Sequence, residues 1–161
     1  MASAFSGLAW RDFAAGLALG LAAAAALPAA LSALGGARRS ALVRLDASAR
    51  YSEAVVARGS GGGGTIHLAG QVATDDALAD CATQTRSVLA QVDALLARAG
   101  SDKSRLLSAT VYLTSLEHFA AMNEVYAKWL PAGCAPARAT VGNVTLANPK
   151  WLVEIVVVAA L

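Results

Sequence analysis

The run WLVEIVVVAA at 151–160 constrains this chain more than any other feature. A near-continuous apolar stretch of strand length marks a strand buried on both faces, so it is expected at the centre of a sheet. With 161 residues there is room for one hydrophobic core and one domain around it. Hydrophobic residues make up 57% of the sequence, but 40 residues are alanine, so the burial available is smaller than that share suggests.

The partners of that strand are read from the texture upstream. LVRLDA (42–47) and SEAVVA (52–57) have strand character, and after Gly59, Ser60 and Gly61 to Gly64 comes TIHLAG (65–70), another strand. The glycine-rich segment has no GK[ST] and no helix opening behind it, so it reads as a loose turn rather than a phosphate cradle. Asp75 or Asp76 is expected to cap a helix whose apolar positions Leu78, Ala82, Thr85, Val88, Leu89, Val92, Leu95, Leu96 and Ala99 recur at spacings of three and four, up to Gly100.

Residues 104–114 alternate, with Leu107, Ala109, Val111 and Leu113 on one face. Thr114 and Glu117 form a capping box for a second helix, whose stripe is Phe119, Met122, Tyr126 and Trp129 and which Pro131 and Gly133 end. ATVGNV (139–144) then precedes the apolar run. The order of elements predicts an α+β fold, a mixed sheet with both helices on one face. The other face needs cover, which other subunits are expected to provide, because large bare apolar faces are rare on monomers.

Two charges stand out. Glu154 interrupts the apolar run, and an uncompensated carboxylate is costly to bury there. Arg138 opens the preceding strand, and adjacent antiparallel strands would bring the two within reach. One reading is a guanidinium holding a substrate carboxylate while Glu154 orients or deprotonates a water. The other is a structural ion pair at the end of the sheet. His67 and His118 are isolated and suit ordinary packing or solvation, and Cys134 lacks the His or Asn motif of a nucleophile. Tyr51 either closes an apolar pocket or is an ordinary strand aromatic.

Residues 13–37 are 25 consecutive uncharged residues, long enough to span a bilayer but dominated by Ala and Gly and broken by Pro28. The first 45 residues carry Arg11, Arg38, Arg39 and Arg44 against Asp12, a net of +3, with scattered serines. This favours a targeting presequence over residues 1–42, with import into a mitochondrion or plastid, over a membrane anchor at 13–37 or a plain cytoplasmic extension. Membrane contact is expected only if that segment is retained. The remainder carries 9 basic and 10 acidic side chains, a net of −1, which argues against a nucleic-acid partner. Two cysteines, without zinc-type spacing to histidine, exclude a disulfide scaffold and a zinc finger.

Five strings in order, AGQV (69–72), QTRSVLAQVDALLARAGSDKSRLL (84–107), ATVYLTSLEHFAAMNEVYAKWL (109–130), PARATV (136–141) and VEI (153–155), resemble the Rid family of reactive-intermediate deaminases, also called YjgF/YER057c/UK114. RLDASARYSE, GSDKS, MNEVYAKW and NPKWLVEI resemble its YoaB-like branch. The similarity covers residues 43–161. It implies a chorismate-mutase-like fold, a homotrimer with ligand sites in the clefts between subunits, and hydrolysis of 2-imino or enamine acids to 2-keto acids and ammonia, with no cofactor and no metal.

On this resemblance the carboxylate-gripping arginine falls on Arg138 and the water-orienting glutamate on Glu154. The pocket tyrosine falls on Tyr51, the glycine with a backbone donor on Gly70, and the asparagine of the second helix on Asn123. Where the archetypal deaminases have serine before that glycine this chain has Ala69, and in place of a Ser-Cys pair after the arginine it has Ala139 and Thr140. The alternative of a different class is a trimeric small-acid-binding or chaperone-like module without turnover.

Overall fold

The computed structural model describes residues 41–73 and 80–161, all within a unit spanning Ser40–Leu161. Seven strands form one mixed sheet: β1 (Leu42–Leu45), β2 (Ala54–Arg58), β3 (Gly64–Leu68), β4 (Gln71–Val72), β5 (Leu106–Leu113), β6 (Ala137–Val141) and β7 (Val153–Ala160). Two helices, α1 (Cys81–Ala99) and α2 (Phe119–Trp129), pack against its inner face. The order across the sheet is β1-β2-β3-β7-β5-β6, with β4 also paired to β7, so the apolar run is central as its composition requires. Along β7 every second residue, Val153, Ile155, Val157 and Ala159, is at most 1% exposed, and each such valine or isoleucine contributes about 1.5–3 kcal/mol of burial.

Helix α1 begins one turn later than the acidic pair suggested. Asp80 is the cap, its Oδ1 accepting from the Thr83 N–H at 2.9 Å, while Asp75, Asp76 and Leu78 lie outside the described residues. The buried positions Val88, Leu89, Val92, Leu95, Leu96 and Ala99 follow the spacing read from the sequence. Gly100 ends the helix in the left-handed region at φ 90°, where a Cβ would be strained. The second cap is also displaced: Ser115 rather than Thr114 accepts from the Glu117 N–H, because the Thr114 hydroxyl and N–H both turn to the Leu152 carbonyl. A short 3-10 turn, Leu116–His118, leads into α2, where Met122 and Tyr126 are buried but Phe119 is 42% exposed.

Strand β5 departs from simple alternation. A register shift between Leu106 and Ser108 buries Leu106 and leaves Leu107 49% exposed, reversing the expected face of Leu107. Opposite the helices, Val55, Thr110, Tyr112, Val156 and Val158 form a half-buried outer face that no described element covers. Among the described residues no helix is long and apolar enough to cross a membrane; residues 13–37 lie outside them.

Candidate functional site

The topology separates the two charges that the sequence suggested were neighbours. Strand β6 does not lie beside β7: it runs parallel to β5, and β5 lies between them. The connection through α2 is a strand–helix–strand crossover, which demands a parallel neighbour, so β6 takes the free edge of β5. Arg138 is level with Ala109, and Ala109 with Val157, three residues from Glu154. Two strand spacings and three residue rises put their Cα atoms about 14 Å apart.

They also point to opposite faces. Arg138 shares its face with buried Ala109 and lies against α2, whereas Glu154, between buried Val153 and Ile155, points to the outer face beside Tyr112 and Val72. An intrachain Arg138–Glu154 ion pair is therefore excluded.

Around Glu154 the backbone makes room. Strand β3 ends at Leu68, the chain kinks at Ala69 and Gly70, and β4 resumes the pairing with β7 at Gln71↔Ile155 and Val72↔Glu154. At the kink the Glu154 carboxylate lies directly over Gly70, where a Cβ would collide with it. A cleft of about 630 Å³ opens here, with Tyr51, Glu53, Gly70, Gln71, Trp151 and Glu154 in its wall. Tyr51 is 54% exposed at its edge. Gln71 is 5% exposed and donates through Nε2 to Glu53 Oε2 at 3.0 Å and to the Ala69 carbonyl at 3.2 Å, fixing the Glu53 carboxylate.

At the mouth, Arg98 from the last turn of α1 pairs with Asp46 at 2.7 Å. The hydrogen bond from Arg98 holds the Asp46 carboxyl below the usual carboxylate range. Glu53 and Gln71, which the motif reading had not singled out, enter through this geometry. Their sequence signal is that they lie within the strings RLDASARYSE and AGQV, beside Tyr51 and Gly70.

The second group lies at the β6 edge. The Arg138 guanidinium carbon sits 4.8 Å from the centre of the Tyr126 ring. Asn123, half-buried, precedes Tyr126 by three positions on α2 and so shares its side of the helix. Thr140, two residues beyond Arg138 on the same strand face, and Tyr126 each bury a hydroxyl oxygen without a hydrogen-bond partner among the described residues. Burial pushes the Tyr126 phenol up, with Arg138 opposing, so the ring is neutral near pH 7.

The structure thus brings Tyr51, Gly70 and Glu154 together in one place and Arg138 and Asn123 in another. His67, exposed on β3, and His118, before α2, join neither group. No group of three or more His, Cys, Asp or Glu suited to a metal occurs among the described residues.

The family model described as Endoribonuclease L-PSP matches residues 41–161. RutC family protein YoaB of Escherichia coli is 44% identical over 119 residues, covering 74% of this chain and 97% of that protein. Protein mmf2, mitochondrial, of Schizosaccharomyces pombe is 35% identical over 122 residues, covering 73% and 92%. The crystal structure of NMB1025, a member of the YjgF protein family from Neisseria meningitidis, superimposes with a TM-score of 0.67 at 42% identity, covering 73% of this chain and 92% of that one. With its mixed sheet, its two helices on one face and relatives of this identity, the chain belongs to the Rid (YjgF/YER057c/UK114) family, with YoaB among its relatives.

Proposed function

We propose that this protein hydrolyses short-lived 2-imino and enamine acids to 2-keto acids and ammonia, as a homotrimer in which the Arg138 edge of one subunit faces the Glu154 cleft of the next. The observation that carries the reading is the separation of the two charges. Arg138 has no carboxylate partner among the described residues, and Glu154 looks into a cleft whose one guanidinium, Arg98, is taken by Asp46. Each half suits one end of a small imino acid. Contact between two different surfaces is heterologous, and such contacts make a ring when the rotation between subunits closes, as a three-fold rotation does. The uncovered outer face of the sheet and the open edge of β6 supply area for it.

In this reading Arg138 receives the substrate carboxylate, each charge-assisted bond contributing about 1.5–3 kcal/mol. Glu154 takes a proton from water as the water oxygen bonds to C2 of the imine, and the proton passes to nitrogen. The hydroxyl proton of the carbinolamine then passes to nitrogen as the C–N bond breaks and the C=O bond forms, releasing ammonia and leaving the keto acid. Gly70 offers its backbone N–H, Tyr51 closes one wall, and Asn123 lies beside the carboxylate end. The test is release of ammonia and keto acid from imines generated in situ by an amino-acid oxidase, together with light scattering. A rate no faster than the spontaneous one overturns the enzymatic reading, and a monomer mass at micromolar concentration overturns the shared site.

A second reading has one observation in its favour: Ala69 and Ala139 put methyl groups where archetypal members carry hydroxyls. A trimeric small-acid-binding module would bind 2-keto acids without turnover. An endoribonuclease is disfavoured by the net charge of −1 beyond residue 45. The basic, serine-bearing residues 1–42 are proposed as a targeting presequence, in keeping with the mitochondrial name of mmf2. N-terminal sequencing of the mature protein should start near residues 36–42, and intact Met1 in a membrane fraction would favour an anchor.

A further inference from the structure

We propose that Tyr126 is a positioning residue: braced by Trp129 and Asp93, its ring fixes the direction of the Arg138 guanidinium that receives the substrate carboxylate. The inference rests on the reading of Arg138 as that grip and goes beyond it. Arg138 is an exposed side chain on an edge strand, without an ion pair among the described residues. A free arginine there would spread over many rotamers, and binding would have to remove that freedom. Instead its guanidinium carbon lies 4.8 Å from the Tyr126 ring centre, within the range where a ring face attracts a cation.

The platform is itself held. Tyr126 is 3% exposed, in the core between α2 and the sheet. Its ring packs on Trp129 at 5.6 Å between centroids and 55° between planes. Trp129 in turn donates from Nε1 to Asp93 Oδ2 at 2.9 Å, and the same oxygen meets Lys103 Nζ at 3.1 Å. The Lys103 ammonium lies 5.2 Å over the Trp129 ring, so the indole is gripped at its edge and on its face. A line of contacts thus runs from Asp93 on α1 through Trp129 and Tyr126 on α2 to Arg138 on β6. The Tyr126 hydroxyl has no partner among the described residues, so the ring rather than the hydroxyl carries the effect, and phenylalanine should replace it.

The experiment uses the full chain labelled with ¹⁵N-arginine, the Arg138 Nε–Hε resonance being identified by its loss in Arg138→Lys, and pyruvate as the ligand probe. Wild type and Tyr126→Phe should show that resonance shifted upfield by the ring, and Tyr126→Leu should return it to the position of the other arginines. Pyruvate dissociation constants should rise about 3-fold to about 30-fold in Tyr126→Leu and stay within about 2-fold in Tyr126→Phe.

Unchanged pyruvate binding in a folded Tyr126→Leu overturns the inference and leaves the grip reading intact. Wild type that binds no pyruvate, or binds it equally well as Arg138→Lys, overturns the grip reading and the inference with it. If Tyr126→Leu does not fold, Trp129→Phe carries the test: it keeps a ring but loses the bond to Asp93. The resonance should then move part of the way back and binding should weaken about 2-fold to 3-fold, as expected for a small loss of orientation. No change in either measurement overturns the inference.

Discussion

Gly70→Ala tests the link between fold and chemistry most directly. An added Cβ meets the Oε1, Cδ and Cγ of Glu154 and no backbone atom within the three nearest contacts. The carboxylate can swing into the adjacent cleft, so the folding cost is that of an off-rotamer glutamate, about 0.5–1.5 kcal/mol. For a domain of this size that lowers the melting temperature by about 2–6 °C. Displacing the carboxylate by about 1 Å from the water it holds should cost about 100-fold in turnover.

Gly64→Ala is the matched control. There the Cβ meets the backbone of Ala57 and Arg58 across the β2–β3 pair, which cannot rotate away. Stability should fall further than in Gly70→Ala, with turnover per folded molecule unchanged. Thermal unfolding monitored by circular dichroism and single-turnover imine hydrolysis separate the two effects. If Gly70→Ala hydrolyses imines at the wild-type rate, or unfolds as readily as Gly64→Ala with turnover kept, the placement of Glu154 as the water-handling group is refuted.

Arg138→Ala should lower catalytic efficiency about 100-fold, a loss of about 3 kcal/mol, and Arg138→Lys should restore little because an ammonium lacks the planar fork. Glu154→Gln should reduce turnover while the affinity for a 2-keto acid, measured by calorimetry, stays within about 3-fold. Arg98 lowers the Asp46 pKa below its ordinary 3.8, so the pair stabilises the fold above that value and the stabilisation is lost as pH falls through the lowered one. Urea midpoints of wild type and Arg98→Ala should therefore differ at pH 7 and converge as the pH drops below 3.8. Gln84, 0% exposed, donates to the Lys150 carbonyl at 2.9 Å and accepts from the Leu152 N–H at 2.8 Å, clamping the approach to β7. Gln84→Ala leaves both groups without that partner and should cost about 2–5 kcal/mol in urea unfolding.

Much of the fold was legible because burial imposes local periods. The three-and-four spacing of α1, the apolar continuity of β7 and the glycine turn before β3 each come from contacts made within one element or one hairpin. Where the reading slipped, a distant partner decided. Thr114 lost its cap role to Ser115 because Leu152 takes its hydroxyl as well as its N–H, and Leu107 turned outward because β5 shifts its register against β7.

The candidate site divides in the same way. Sequence alone marked Arg138 and Glu154 as charges out of keeping with their strands, and marked Tyr51, Gly70 and Asn123 through motif resemblance. Only the tertiary structure decided that β6 pairs parallel on the far side of β5, which sends Arg138 to the helix face and Glu154 to the outer face. It also decided that a Cβ at Gly70 would meet the Glu154 carboxylate and that Tyr126 lies under Arg138. The physical reason is range: propensity and amphipathic period act over a few residues. Which strand edges meet depends on crossover handedness and on packing between residues far apart in the chain, and no local pattern encodes that.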